Sequence, residues 1–143
     1  MRNGTILLVD DNADDVFLTV HAFRQNNIGN TFVVAQDGVE AVDLLLPADS
    51  TAPLRPEIVL LDINMPRMGG LEVLGRLRAD SRTRSLPVIM LTTSTEDRDI
   101  AESYSQGANS YVPKPVTSDD FLAAARTLGS YWLGLNIQAR PRS

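Results

Sequence analysis

Short runs of consecutive apolar residues alternate along the chain with longer segments in which apolar residues recur every three or four positions. The short runs predict buried strands, and the longer segments predict helices with one apolar face. Five strands are predicted, at residues 5–9, 31–35, 58–61, 88–91 and 110–112. A helix is predicted after each strand, at residues 12–27, 38–46, 70–79, 96–106 and from Ser118 onward. Asp11 or Asn12 is expected to cap the first helix, and Ser118 the last.

The strict alternation of strands and helices predicts an α/β fold. Strands that are apolar on both faces indicate a parallel sheet covered by helices on both sides. A five-stranded sheet of this kind commonly has the strand order 2-1-3-4-5. Ligands then bind beyond the carboxyl ends of the strands, where the order reverses between strands 1 and 3.

Composition narrows the possible functions. The 143 residues suit one domain, and the chain has no cysteine. The net charge of −5 argues against general binding to a nucleic-acid backbone. No apolar run approaches the roughly 20 residues of a membrane-spanning helix, and no signal peptide is evident. We therefore expect a cytoplasmic protein without nucleic-acid or membrane partners.

Reactive side chains follow four of the five predicted strands. They are Asp10 and Asp11 after the first strand, Asp62 after the third, Thr92 after the fourth and Lys114 after the fifth. Each has an ordinary alternative as a helix cap, a polar strand end, a turn hydroxyl or a surface lysine. Because all of them reach the same edge of the sheet, we interpret the set as a functional site.

The chemistry of this set indicates phosphoryl transfer. Three carboxylates in one cleft repel one another, so that one holds a proton or a cation lies among them. Oxygen ligands that leave room for water suit Mg²⁺, and a lysine supplies a point charge for phosphate. An aspartate can act as the nucleophile and form an acyl phosphate. Catalysis then needs little beyond positioning and charge neutralisation.

These motifs resemble the receiver domains of two-component response regulators. The resemblance covers about residues 5–128, and four stretches carry it: Ile6-Leu7-Leu8-Val9-Asp10-Asp11, Leu60-Leu61-Asp62-Ile63-Asn64-Met65-Pro66-Arg67-Met68-Gly69-Gly70, Val88-Ile89-Met90-Leu91-Thr92 and Gly107-Ala108-Asn109-Ser110-Tyr111-Val112-Pro113-Lys114-Pro115. It implies a receiver domain at residues 1–130, followed by a tail at residues 131–143.

The resemblance also implies roles for the site residues. Asp62 would accept a phosphoryl group from a phosphohistidine of a sensor histidine kinase. Asp11 and Asp62 would bind Mg²⁺ through their side chains, Asn64 through its backbone carbonyl and Asp10 through a water molecule. Asn64 and Ser94, which lie two residues beyond the acceptor and the hydroxyl residue, would tune the lifetime of the phosphoryl group.

The resemblance also implies a partner for the phosphate, Lys114, and a switch formed by Thr92 and Tyr111. Lys114 would pair with the phosphate, and its peptide bond to Pro115 would be cis. Thr92 would close on the phosphoryl group, and Tyr111 would rotate inward behind it. The face formed by helix 4, strand 5 and helix 5 would then change its binding properties. The only histidine, His21, lies in the middle of the first predicted helix, outside the active edge, so we expect the donor histidine in trans. The resemblance makes the first helix the usual kinase-docking face.

The expected output is contact with another protein. No effector domain is evident after the last helix, so the alternatives are signalling through an unknown downstream protein, or service as a phosphate relay or sink. The chain would be no enzyme beyond its own phosphotransfer and autodephosphorylation. The proline-containing loop 47–56, the opening acidic stretch and the closing Ser130-Tyr131-Trp132-Leu133 resemble the stand-alone regulators of bacterial phytochrome kinases.

The tail has two interpretations. A stripe at helical spacing runs from the last helix into it, through Phe121, Ala125, Leu128 and Trp132. Either the tail folds back onto its own last helix, or Tyr131, Trp132 and Leu133 form an apolar patch that buries against a second copy. We expect the second, a homodimer, because exposed tyrosine and tryptophan are favoured interface anchors.

Other functions fit the residues less well. A haloacid-dehalogenase-type phosphatase needs a second aspartate two residues after the nucleophile, where this chain has Asn64. An FMN site needs a hydroxyl- and glycine-rich loop after the first strand, and a nicotinamide site needs G-x-G-x-x-G there; this chain has acidic residues instead. A receiver that is never phosphorylated would not be expected to keep the complete residue set.

Overall fold

The computed structural model describes residues 4–139 and contains five parallel strands that alternate with five α-helices in that range. The strands are β1 (Ile6–Val9), β2 (Phe32–Ala35), β3 (Ile58–Leu61), β4 (Val88–Thr92) and β5 (Ser110–Pro113). The helices are α1 (Ala13–Gln25), α2 (Gly38–Leu45), α3 (Gly70–Ala79), α4 (Asp97–Ser105) and α5 (Ser118–Leu128). The predicted elements and their order are confirmed, with bounds that differ by one or two residues.

The five strands form one sheet in the predicted order 2-1-3-4-5. β1 lies between β2 and β3, and its last residue, Val9, is paired with Ala35 of β2 and Leu61 of β3. At the other side, Thr92 of β4 is paired with Pro113 of β5. The residues that follow β1, β3 and β5 therefore meet at one edge.

Successive strand residues point to opposite faces, so each strand contributes to two separate cores. One core lies under α2 and α3 and includes Leu7, Val9, Leu61, Leu74 and Leu77. The other lies under α1 and α5 and includes Ile6, Leu8, Leu60, Phe23 and Phe121. Helices cover both faces, as predicted. Each buried side chain of this size contributes roughly 1.5–3 kcal/mol to stability.

The helices α1 and α5 are capped at their N-termini by side chains. Asn12 caps α1, because its Oδ1 accepts a hydrogen bond of 3.0 Å from the backbone N–H of Asp15. The expectation that Ser118 caps α5 is wrong. The cap is Thr117, whose Oγ1 accepts from the N–H of Asp120 at 3.1 Å. Thr117 has the extended backbone that a capping residue needs, whereas Ser118 is already helical.

Beyond α5 the chain continues as a π-helix (Gly129–Leu135) that turns the tail onto its own domain. Leu133 is completely buried in the core under α1 and α5, so the expectation that Leu133 lies in an exposed patch is wrong. The hydrogen bonds of a π-helix join residues five apart instead of four, so each turn takes up more of the chain. The inward position after Leu128 is therefore Leu133, while Trp132 is half-buried and Tyr131 is exposed.

The end of the described chain returns to the start of β3. The side-chain amide of Gln138 donates to the carbonyl oxygen of Glu57 at 2.7 Å. Residues 140–143 of the predicted tail lie outside the described residues. Among residues 4–139, no helix has the length and apolar character needed to cross a lipid bilayer.

Candidate functional site

The carboxyl ends of β1, β3 and β5 bring Asp10, Asp62 and Lys114 together. Asp10 and Asp62 stand directly after β1 and β3, and their N–H groups still bond to the neighbouring strands, to the carbonyls of Ala35 and Val9 at 3.0 Å each. These bonds extend the ladder by one residue. Both carboxylates are consequently fixed relative to the sheet.

The Lys114 ammonium lies at the centre of the cluster. Its Nζ is 2.8 Å from Asp10 Oδ2, 2.9 Å from Asp62 Oδ2 and 2.9 Å from Asp15 Oδ2. An ammonium has three N–H donors, and each of these distances is that of a charge-assisted hydrogen bond. The Lys114 side chain is only 5% exposed. All of its donor capacity is thus taken up by carboxylates.

Backbone N–H groups hold the other oxygens of the two buried aspartates. Asp10 Oδ1 accepts from the N–H of Asn12 at 2.9 Å, and Asp62 Oδ1 accepts from the N–H of Ile63 at 2.7 Å. Each aspartate therefore has one oxygen on the backbone and one on Lys114. This arrangement fixes the orientation of both carboxylates before any ligand arrives.

Burial and ion pairing act in opposite directions on the charges of the site. Burial raises the pKa of Asp10, and the hydrogen bond from Lys114 offsets this only in part. Burial alone would lower the pKa of Lys114, but its hydrogen bonds to Asp10, Asp15 and Asp62 outweigh that effect and raise it. Lys114 is accordingly a permanent cation at neutral pH.

Asp11 completes a group of carboxylates that suits a divalent cation. Asp10, Asp11 and Asp62 offer carboxylate oxygens that all lie within 4.8 Å of one another. Asp11 is exposed and makes no ion pair with any of the described residues. Four carboxylates, including Asp15, face a single ammonium, and this excess of negative charge favours a cation. Hard oxygen donors open to water are the ligands that such a cation takes.

The loop between β3 and α3 is anchored at two points. The N–H of Gly70 donates to the carbonyl of Ile63 at 2.8 Å, and a side chain at Gly70 would collide with the carbonyl of Asp62. Arg67, at φ 65°, reaches across to Asp37 with Nε and Nη2 at 2.9 and 2.8 Å. This loop carries Asn64, which is exposed.

Thr92 and Tyr111 lie on neighbouring strands, β4 and β5. Thr92 is completely buried, and its Oγ1 accepts a long hydrogen bond of 3.4 Å from the N–H of Ser94. The Tyr111 hydroxyl donates to the carbonyl of Ser94 at 2.9 Å. The half-buried Tyr111 ring is therefore already joined to the loop that follows Thr92.

The expected cis bond between Lys114 and Pro115 is wrong, because no peptide bond within residues 4–139 is cis. The trans form of a bond to proline is favoured by about 0.5–1 kcal/mol. With the trans bond, Lys114 reaches three carboxylates.

Sequence reasoning missed Asp15 as a residue of the site. Its position in the first turn of α1 indicated only a favourable interaction with the helix dipole. The signal that could have identified it is spacing. α1 begins only three residues after Asp10, so its first turn lies over the end of β1, and one acidic side chain of that turn has to face the cleft.

Comparison with known proteins agrees with the fold. The family described as response regulator receiver domain matches residues 6–126. The probable methanogenesis regulatory protein FilR2 of Methanothrix harundinacea is 36% identical over 136 residues, which span 95% of this chain and 88% of that protein. The response regulator Rcp1 of Synechocystis is 31% identical over 130 residues, which span 90% and 88%.

Solved structures show the same similarity. The Mn²⁺-bound form of Rcp1 superposes with a TM-score of 0.86 at 28% identity, covering 96% of this chain and 99% of that chain. The response regulator RPA3017, described in red light signaling of R. palustris, also has a TM-score of 0.86, at 33% identity and with the same coverage. Both likenesses extend beyond the matched family region into the tail.

Proposed function

Because the chain belongs to the response regulator receiver family, we propose that Asp62 accepts a phosphoryl group from a sensor histidine kinase. The phosphorylated protein then signals through contacts with a partner protein. One observation carries this proposal: a single buried ammonium holds the carboxylates of Asp10 and Asp62 beside the exposed carboxylate of Asp11. The chain would perform only its own phosphotransfer and the hydrolysis of its own acyl phosphate.

The transfer step requires a nucleophile and charge neutralisation. A bond forms between a carboxylate oxygen of Asp62 and phosphorus as the bond from phosphorus to the histidine nitrogen of the kinase breaks. Lys114 is placed to donate to a phosphoryl oxygen, since its Nζ already lies 2.9 Å from Asp62. The backbone N–H of Ile63 keeps the carboxylate from turning away.

Mg²⁺ is the proposed cofactor. Asp11 and Asp62 would hold it through their side chains, Asn64 through its backbone carbonyl and Asp10 through water. When bound, the ion neutralises the charge of the phosphoryl oxygens. The oxygen-only donor set and the exposed position of Asp11 support an ion that keeps several waters.

The kinase is proposed to dock on α1. Phe17 is 65% exposed, and its ring stacks on that of His21 at a centroid distance of 5.6 Å. Such an exposed aromatic pair fits a partner surface. The structure of the cyanobacterial phytochrome response regulator RcpA is similar to this chain at a TM-score of 0.86 and 29% identity, which leads us to propose a phytochrome-type kinase. Because a histidine kinase takes its phosphoryl group from ATP, we assign the exchange to the cytoplasm.

The phosphoryl group is proposed to act through Thr92 and Tyr111. The Thr92 hydroxyl would bond a phosphoryl oxygen, and the loop held by Tyr111 would follow it. Asn64 and Ser94 lie two residues after Asp62 and Thr92, and we assign to them the control of the lifetime of the phosphoryl group. The output face would be formed by α4, β5 and α5.

We also propose a homodimer, whose contact residues differ from those expected from the sequence. Tyr131, Leu135 and Ile137 are 46%, 76% and 91% exposed on the tail. These three side chains, with the half-buried Trp132, would bury against a second copy. Leu133 takes no part, because it lies inside its own domain.

Incubation with acetyl phosphate and Mg²⁺, followed by intact-protein mass spectrometry, tests the proposal. The wild type should gain one phosphoryl group, and Asp62→Asn should gain none. Asp14→Asn is the matched control, because it removes the same charge from an exposed position near the site. A wild type that gains no adduct, or an Asp62→Asn variant that gains an undiminished one, would contradict the assignment.

A further inference from the structure

Asp15 is the one partner of the Lys114 ammonium, among the described residues, that lies outside the Asp10, Asp11 and Asp62 group. We propose that Asp15 is a positioning residue that keeps Lys114 at the site while Asp10 and Asp62 take up the metal and the phosphoryl group. This inference rests on the proposed function and assigns a further residue to it.

The donors of Lys114 show why a third carboxylate is useful. In the structure the three N–H groups bond to Asp10, Asp15 and Asp62 at 2.8–2.9 Å. A cation among the carboxylates draws on the oxygens of Asp10 and Asp62. Phosphorylation converts the Asp62 carboxylate into an acyl phosphate, whose charge lies on the phosphoryl oxygens. Asp15 alone remains a carboxylate that engages neither the cation nor the phosphoryl group through both steps.

Asp15 is itself rigidly placed. Its N–H donates to Oδ1 of the capping residue Asn12 at 3.0 Å, and its carbonyl accepts from Oγ1 of the buried Thr19 at 2.8 Å. Its side chain is 23% exposed, so the ion pair with Lys114 is partly shielded from water. A carboxylate on a backbone held in this way can position the flexible side chain of a lysine.

The neighbouring residue Asp14 separates this role from an ordinary helix-dipole effect. Asp14 also lies in the first turn of α1, carries the same charge and is exposed. It makes no contact with Lys114 in the described structure. Loss of either charge weakens the dipole interaction to a similar extent. Only loss of the Asp15 charge should release Lys114.

The first test observes Lys114 directly. In protein labelled with ¹⁵N-lysine, an ammonium held by three carboxylates exchanges slowly with water and gives a resolved ¹H–¹⁵N signal at its Nζ. Lys114→Met assigns this signal by removing it. Asp15→Asn should broaden the signal beyond detection, and Asp14→Asn should leave it in place. A Lys114 signal that survives in Asp15→Asn overturns the inference.

The second test measures function. The initial rate of phosphorylation by acetyl phosphate at saturating Mg²⁺ should fall about tenfold in Asp15→Asn, the low end for loss of an outer partner at a metal site. The rate of Asp14→Asn should stay within about twofold of wild type. Equal losses in both variants overturn the inference in favour of the dipole. If wild type takes up no phosphoryl group but Asp15→Asn still loses the Lys114 signal, the proposed function fails and the positioning role stands.

Discussion

The hydroxyl of Tyr111 donates a 2.9 Å hydrogen bond to the carbonyl oxygen of Ser94. The Oγ of the same serine donates to Asp99 Oδ2 at 2.6 Å, and its N–H points to Thr92 Oγ1 at 3.4 Å. Ser94 thus joins the end of β4 to β5 and to the first turn of α4. A displacement of Thr92 toward a phosphoryl group would reach Tyr111 and α4 through this one residue.

Substitution of Thr92 should separate phosphorylation from its response. Thr92→Ala keeps Asp62 and Lys114, so it should still accept a phosphoryl group from acetyl phosphate. Without the hydroxyl, the Ser94 loop should not move. We expect the NMR signals of the Tyr111 ring to shift on phosphorylation in wild type and to stay unchanged in Thr92→Ala. Tyr111→Phe assigns those signals, and a full shift in Thr92→Ala would exclude this coupling.

Much of the fold and of the site can be predicted from the sequence because parallel strands end at one edge. That rule alone brings Asp10, Asp62 and Lys114 together, and the structure places them within hydrogen-bond distance. Asp15 is different. Whether it faces the cleft depends on the rotation of α1 relative to the sheet, which the helical packing against both β1 and α5 determines.

The tail shows a second limit of sequence reasoning. A regular α-helical repeat from Leu128 predicts Trp132 as the inward residue. The backbone instead widens into a π-helix, and Asn136 bonds back to the carbonyl of Tyr131. The widening moves the inward position to Leu133. The sequence contains no local signal for this change, since it arises from the fit of the tail against the core.

Removal of Asp11 should stabilise the protein when no divalent cation is present. Asp11 lies near two other carboxylates and has no ion-pair partner among the described residues. Asp11→Asn relieves this repulsion and should raise the melting temperature in chelator by about 2–4 °C. Asp62 offers no such gain, because its removal takes a partner from Lys114. Adding Mg²⁺ should raise the melting temperature of wild type only. A lower melting temperature for Asp11→Asn in chelator would contradict the repulsion.

The ion pairs of Lys114 should stabilise the fold in a manner that depends on pH. They raise the pKa of Lys114 above its ordinary value of 10.5 despite its burial. The folded state therefore keeps the Lys114 proton up to a higher pH than the unfolded chain does. This stabilisation is complete below pH 10.5 and declines as the pH rises through the folded-state pKa.

Urea unfolding of wild type and Lys114→Met measures this effect. At neutral pH the variant should lose about 3–5 kcal/mol, because it leaves buried carboxylates unpaired. The difference in unfolding free energy between the two proteins should hold steady below pH 10.5 and shrink above it. The two proteins differ only at position 114, so the pH dependence of the difference reports on Lys114. A difference that stays constant well above that pH would contradict the assignment.

The tail should show separate effects on stability and on association. Leu133→Ala removes a completely buried side chain and should cost about 2–5 kcal/mol of unfolding free energy. Tyr131→Ala alters an exposed position and should change stability by no more than about 0.5 kcal/mol. In analytical ultracentrifugation, Tyr131→Ala should shift the protein toward monomer. A wild type that is monomeric at high concentration, with and without a beryllofluoride phosphate mimic, would rule out the dimer.

The position of the acyl phosphate is the most direct test of the central claim. Borohydride reduces an aspartyl phosphate to homoserine, which peptide mass spectrometry can locate in the chain. After treatment with acetyl phosphate and Mg²⁺, we predict homoserine at position 62 and unchanged aspartate at positions 10, 11 and 15. Homoserine at any of those three positions, or none at position 62 in protein that carries a phosphoryl group, would contradict Asp62 as the acceptor.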